Sequence, residues 1–237
     1  MAYTAIDKHT AFFNNVLFNG TTNAQSITGV GHQPDLTWIK VRDANAQHVL
    51  QDSLRGATGT DSYLMLTNAA ASDVSDAITS FDSDGFSLGT DAGDRSNYSG
   101  QAHISWNWKA GTTGSGNTGG SGTSKTYSYS TSTTGGFSII KYTGNGTGGH
   151  TIPHHLGATP TIIIIKDITA TNSWIMKMAD ADGYFYFEKD DAITSNSTWL
   201  PCDATNITLA NSWGAYNTNN TEYLIYCWTP KVGFSHF

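Results

Sequence analysis

Charge is scarce in this chain. Asp, Glu, Lys and Arg make up 13% of its 237 residues, and the formal net charge is −7. No basic patch or tail forms, so a polyanion such as nucleic acid is disfavoured as a partner, because phosphate contacts need gathered Lys and Arg. Glutamate is confined to Glu188 and Glu222, and the Gly-x-Ser-x-Gly spacing occurs once, at Gly85 to Gly89, in a strand-like run with no helical pattern after it, so it is not a nucleophile elbow. No acid–base pair or nucleophile can therefore be named, and an enzyme is not expected. Long apolar runs are also missing. The longest pure aliphatic stretch, Ile162 to Ile165, is far short of a membrane span. Met1 to Lys8 lacks the apolar core of a signal peptide, so synthesis in the cytoplasm without export is the expectation. Only two cysteines occur, Cys202 and Cys227. Their separation cannot be read from sequence; two free thiols are expected, with a bridge left open.

Aromatic residues, by contrast, reach 12%, and Gly, Ser, Thr and Asn abound. That composition suits an all-β protein with many turns and excludes a disordered chain. A repeat then organises the sequence. Val30-Gly31-His32-Gln33-Pro34, followed by Leu36 to Lys40, returns as Leu156-Gly157-Ala158-Thr159-Pro160, followed by Ile162 to Lys166, at an offset of 126. Ile104 to Trp108 answers Leu224 to Trp228 at 120, and Tyr63 to Leu66 and Phe86 to Leu88 have copies at 121. Four anchors in one order indicate a tandem duplication. The expected fold is two tandem β-sandwich domains, jelly-roll or lectin-like. The expected boundaries are an N-terminal arm over 1–15, repeats over 16–111 and 135–237, and a flexible Gly/Ser/Thr-rich linker over 112–134.

Within the first repeat, alternation predicts strands at Val16 to Asn19, Thr21 to Thr28, Leu36 to Lys40, Val49-Leu50 and Tyr63 to Leu66. Asp73 to Ile78 carries the one hint of helix. In the strand from His103 to Lys109, Ile104, Trp106 and Trp108 share one side, which is expected to face the core. Trp228 is assigned inward by the same alternation.

Several side chains invite a chemical reading. Asp82-Ser83-Asp84-Gly85 suggests calcium, but the full loop is absent and the pattern fits an Asx turn. His150, His154 and His155 are imidazoles of the type that zinc or nickel takes. Their non-helical spacing around Pro153 makes them loop residues, so no metal or other cofactor is expected. Gly114 to Gly119 fits the dinucleotide fingerprint formally but lacks its strand and helix. Trp174, Trp199 and Trp213 lie in loop-like contexts and are the candidates for stacking on a sugar ring, with anchoring between subunits as the competing role. Phe12 and Phe13 in the arm, with Phe234 and Phe237 at the other end, are candidate oligomer or attachment contacts.

Asn145-Gly146-Thr147-Gly148-Gly149-His150-Thr151-Ile152-Pro153-His154-His155-Leu156-Gly157, the strand from Pro160 to Lys166, and the closing Tyr226-Cys227-Trp228 with Val232-Gly233-Phe234-Ser235 resemble a repeat module of tailed-bacteriophage virion proteins. Many such phages infect cyanobacteria and other aquatic bacteria. The first repeat, with Phe13 to Leu17, Gly29 to Gly31, Ser80 to Phe86 and Trp106 to Gly111, is similar. The resemblance implies a virion structural protein, homotrimeric by analogy, with other virion proteins as partners and host surface glycans as a further class of target. It carries over no catalytic residue. Fibre proteins have a long shaft before the module, whereas only a short arm precedes it here. A tail-tip appendage or capsid-decorating subunit is therefore expected ahead of a full fibre.

Overall fold

The computed structural model describes residues 5–58, 62–67, 69–72, 76–90, 95–196 and 198–236. Phe237 and the stretch 73–75 of the expected helix lie outside them. The remainder of that segment is a bend that runs into a strand at Ile78. Two compact units are present: one is Asp7–Thr67 with Ala71–Ala110, and the other is built on Gly111–Phe237. Apart from a 3-10 turn at His9–Ala11, every regular element among the described residues is a strand, and the named ladders are antiparallel.

In the N-terminal unit the strands are β1 (Phe13–Asn19), β2 (Gln25–Thr28), β3 (Leu36–Val41), β4 (Val49–Asp52), β5 (Leu64–Met65), β6 (Ile78–Asp82), β7 (Gly85–Leu88) and β8 (Ala102–Trp108). They form a five-stranded sheet, β1-β8-β3-β4-β5, and a three-stranded sheet, β2-β7-β6. Ile27, Ile39, Val49, Tyr63, Ile78, Phe86 and Leu88 form its apolar cluster.

The C-terminal unit holds β9 (Thr112–Asn117), β10 (Gly119–Gly120), β11 (Thr126–Ser132), β12 (Phe137–Thr143), β13 (His150–Pro153), β14 (Ile162–Asp167), β15 (Ile175–Met178), β16 (Gly183–Tyr186), β17 (Thr194–Ser195), β18 (Asn206–Leu209) and β19 (Glu222–Trp228). Its large sheet has eight strands in the order β17-β16-β15-β14-β19-β12-β11-β9, and its small sheet is β10-β13-β18. The run β12-β19-β14-β15-β16 occupies the places of β1-β8-β3-β4-β5.

The correspondence extends to single residues. Phe13 pairs with Trp108, and Phe137 with Trp228; each pair of rings has its centroids 5.0 Å apart. Leu36 pairs with Trp108 as Ile162 does with Trp228, and Gln25 pairs with Leu88 as His150 does with Leu209. Register follows wherever side-chain alternation and ladder positions are kept, since a one-residue slip would turn every side chain over.

Three expectations need correcting. The segment 112–134 is not a flexible linker, because β9 and β11 pair across it and extend the large sheet. Gly114 and Gly116 stand directly opposite Tyr129 and Tyr127. A Cβ on Gly114 would lie 2.6 Å from the Tyr129 hydroxyl, so glycine there makes room for a tyrosine lying across the strand. The arm 1–15 is also shorter than expected, because β1 begins at Phe13 and the Phe12 carbonyl accepts a hydrogen bond from Lys109 N–H at 2.9 Å.

The third correction concerns β8. His103, Ser105 and Asn107 are fully buried, whereas Ile104, Trp106 and Trp108 are only partly so. On this inward side Ser105 and Asn107 find their hydrogen-bond partners within the sheet. Thr37 hydroxyl donates to Asn107 Oδ1 at 3.1 Å, while Asn107 Nδ2 donates to the Ser105 hydroxyl at 3.0 Å and the Asn14 carbonyl at 3.2 Å. The His103 ring stacks on Phe18 at 5.0 Å. In the C-terminal unit the same inward positions are Tyr223, Ile225 and Cys227, within one large apolar cluster. Trp228, expected on the inward side, lies on the opposite face and is buried there against Phe137.

Candidate functional site

Of the three tryptophans marked for sugar stacking, two are in the interior. Trp174 is fully buried with its ring stacked on Tyr226, 6.5 Å between centroids, and Trp199 is 2% exposed within the apolar cluster. A ring closed off in this way has no face for a ligand, which corrects the assignment of Trp174 and Trp199. Trp213 differs: it is half-buried and packs on the cluster from its rim. Around it are Tyr184 at 5.1 Å and Tyr216 at 5.5 Å, and Tyr184 in turn meets Trp199 at 5.3 Å and Tyr186 at 5.6 Å. The structure thus unites Trp199 and Trp213 in one aromatic group and leaves Trp174 elsewhere. Tyr184, Tyr186 and Trp213 are its half-exposed members, at the β16 end of the sheet. The Lys189 ammonium lies 4.4 Å over the Tyr186 ring and occupies one of its faces.

The three histidines do not converge. His150 is buried, with Nδ1 against Asn217 Oδ1 at 3.1 Å and Nε2 against the Thr118 hydroxyl at 2.7 Å. The carboxamide oxygen of Asn217 only accepts, so Nδ1 carries the proton and Thr118 donates to Nε2. His154 uses Nε2 on the Asp203 carbonyl and Nδ1 on the Leu156 N–H. His155 stacks on Tyr129 at 3.7 Å and meets the Tyr127 hydroxyl at 3.0 Å. Burial pushes all three below the ordinary imidazole pKa, most of the cause being lost hydration of the charged form.

Asn217, which was not singled out from sequence, is the centre of this region. Its Oδ1 accepts from Asn145 N–H at 3.1 Å as well as from His150, and its Nδ2 donates to the Thr147 and Asn211 carbonyls, each at 2.9 Å. Asn97 does the same in the N-terminal unit. Its Oδ1 accepts from Thr21 N–H at 2.9 Å and Gln25 Nε2 at 2.6 Å, while Nδ2 donates to the Asn23 and Gly89 carbonyls. His150 thus stands where Gln25 stands, as a side-chain donor to a buried asparagine. The available signal was an Asn recurring at an offset of 120, lost among the many Asn of this composition.

The carboxylates serve turns in a similar way. Asp84 accepts from Gly31 N–H at 2.6 Å and Gly29 N–H at 3.1 Å, which hold its pKa below the usual carboxylate range. Asp82 faces the Ser80 and Ser87 hydroxyls instead, so the two aspartates do not share a focus. Asp203 is pulled down to about 2 by Asn206 N–H and then by the Thr205 hydroxyl and N–H. Among the described residues, no group of three or more His, Cys, Asp or Glu is placed to hold a metal ion. The repeated lysine has a repeated contact too. Lys40 Nζ donates to the Ala46 carbonyl at 2.9 Å and Lys166 Nζ to the Asn172 carbonyl at 2.5 Å. Lys166 is fully buried, and desolvation lowers its pKa to about 8 against the pull of Asp167 and Glu188. Both cysteines are free thiols; Cys227 is buried and its pKa pushed up by desolvation.

This chain belongs to the family described as a domain of unknown function, DUF7483. The family model matches residues 8–237 and therefore takes in both units. No curated protein and no solved structure matches the chain. In this DUF7483 protein, no helix among the described residues is long and apolar enough to cross a membrane.

Of the attachment candidates, Phe13 is packed on Trp108 and Phe12 is half-buried beside it. Phe234 is half-buried in a turn closed by Lys231 N–H donating to the Ser235 carbonyl at 3.0 Å. A further open surface is a shallow groove of about 260 Å³ over β11, β12 and β19. Thr126, Ser128, Lys141 and Glu222 line it, and the last two pair at 3.0 Å.

Proposed function

We propose that this DUF7483 protein is a non-enzymatic structural protein of a tailed-phage virion, assembled from two copies of one β-sandwich and acting by attachment to the particle and to further subunits. Support for the two-copy origin comes from the matched ladders, the paired Asn97 and Asn217 centres and the paired Lys40 and Lys166 contacts. The observation that carries the non-enzymatic reading is the use made of polar groups. Asp84, Asp203, His150 and His154 each hold a turn or a buried asparagine through their own hydrogen bonds. A general acid would need a raised carboxylate pKa, and these two aspartates are moved the other way. The virion assignment rests on the sequence resemblance. Adding labelled protein to particles and imaging them tests it: decoration at one defined position is expected, and failure to bind any particle or virion protein would overturn the reading.

A second reading, a receptor-binding adhesin for host surface glycans, is favoured by the half-exposed Tyr184, Tyr186 and Trp213. Aromatic faces with polar neighbours suit sugar rings. Glycan-array binding lost on Trp213→Ala but kept on changes around the β11–β12 groove is the expected pattern. An array on which the unmodified protein binds nothing removes this reading.

A further inference from the structure

The two units treat one sheet edge differently. In the C-terminal unit, β12 has β19 on one side and β11 on the other, with β9 beyond it. In the N-terminal unit, β1 holds the place of β12, pairs with β8, and is the end of its sheet among the described residues. The backbone groups that face away from β8 can be identified. Phe12 O and Gly20 N–H both bond across to the β8 side, so even-numbered positions point inward and Asn15 and Leu17 point their N–H and C=O outward. Natural edges of this length are usually blunted by charge, proline or a bulge. Phe13–Asn19 has no charge and no proline, and its ladder to β8 runs without a bulge. Leu17, next to its central residue Val16, is 59% exposed. The opposite end of the same sheet, β5, is only two residues long and offers little to pair with.

We infer that β1 is the site at which a second copy of this chain adds, β1 against β1 and antiparallel, in the way that β11 adds to β12. The sequence of the strand suits a two-fold axis through Val16. Each Asn15 would then face the partner copy's Leu17, making reciprocal N–H to carbonyl bonds on either side of the axis. Each Phe13 would face an Asn19. The two Leu17 side chains become diagonal neighbours on the face that already carries Ile104 and Trp106, so the apolar row continues across the joint. In the single chain Asn14 Oδ1 receives the Asn15 N–H at 3.0 Å, a local cap that an incoming carbonyl replaces. An isologous joint of this kind closes at two copies, or at an even number if a second contact exists, whereas the resemblance to phage modules implies three.

The inference does not rest on the virion reading, and its test is separate. Light scattering and sedimentation of the full chain over a range of concentrations should give an even-numbered assembly. Leu17→Lys places a charge at the joint, and Leu17→Pro removes an outward N–H without touching the ladder to β8. Both should weaken association about tenfold or more, with the urea midpoint of the lysine variant near that of the unmodified chain. In hydrogen exchange the Leu17 amide should become protected as concentration rises. A chain that stays monomeric at every accessible concentration, a three-fold assembly, or an even assembly that neither variant weakens would each overturn the proposal. An even assembly that binds no particle would leave it standing and count against the virion reading alone.

Discussion

Two units that share a run of five strands differ in the chemistry of the side chains that one strand of that run turns inward. Behind β8 lie His103, Ser105, Asn107 and Thr37; behind β19 the matching positions are Tyr223, Ile225, Cys227 and Ile163. Phe18 against His103 becomes Tyr142 against Tyr223, still stacked at 5.3 Å. The shared ladder therefore accommodates either chemistry in this layer. A polar layer is stable when its donors and acceptors are all matched, and an apolar layer when none is introduced. Mixing the two is what should fail.

The largest effect is expected at the feature the units share. Asn217→Ala leaves the Asn145 N–H, the His150 imidazole and the Thr147 and Asn211 carbonyls without their buried partner, and about 4 kcal/mol should be lost from the unfolding free energy in urea. Asn97→Ala should do comparable damage in the other unit. If either variant is as stable as the parent, these asparagines are not the centres described.

Exchanging chemistry between layers comes next. Cys227→Asn puts a carboxamide among Ile163, Ile225 and Tyr223, at a cost of about 3 kcal/mol. Adding Ile163→Thr, the residue found opposite Asn107, should recover about 1 kcal/mol, read as the coupling term of a double-mutant cycle. A coupling of zero would mean that the polar layer is not a cooperative unit. A smaller loss, about 2 kcal/mol, is expected for Gly114→Ala, which sets a methyl against Tyr129 on a strand with no counterpart among the described residues of the N-terminal unit. Increased exchange confined to β9 and β11 would localise that loss.

The smallest effect is a pH dependence. His32, His48, His150, His154 and His155 are all held below their ordinary pKa, with burial the leading cause in each. The unfolded chain then binds more protons than the folded one as pH falls through the ordinary imidazole range. Stability is present in full above about pH 6.5 and declines below it toward the lowered folded values. His150→Gln, which installs the residue that Gln25 supplies to Asn97, should keep the asparagine centre and make that decline shallower. Urea midpoints at neutral and mildly acidic pH would measure it, and an unchanged slope would remove His150 as a contributor.

Much of this comparison was legible before any coordinates. Leu36 to Lys40 against Ile162 to Lys166 already aligned β3 with β14, and Phe86 to Leu88 against Ile207 to Leu209 aligned β7 with β18. The candidate site was less legible. Trp174 and Trp199 stand beside Asn and Ser in sequence, which resembles a loop surface, yet their rings are buried against Tyr226 and Tyr216. Local composition reports the polarity of neighbours along the chain, whereas burial depends on neighbours across it.

The sequence by itself determined the all-β class, the spacing of strands in both halves and the recurrence of the lysine that ends β3 and β14. These follow from backbone geometry and short-range side-chain periodicity, which a linear string records. Only the tertiary structure decided which side of β8 turns inward, that the glycine-rich segment is a strand, and that Asn97 and Asn217 are buried centres. Alternation separates two faces of a strand without ranking them. The ranking comes from whether partners such as Thr37, Asn14 and Tyr129 arrive from distant parts of the chain to satisfy or fill each face.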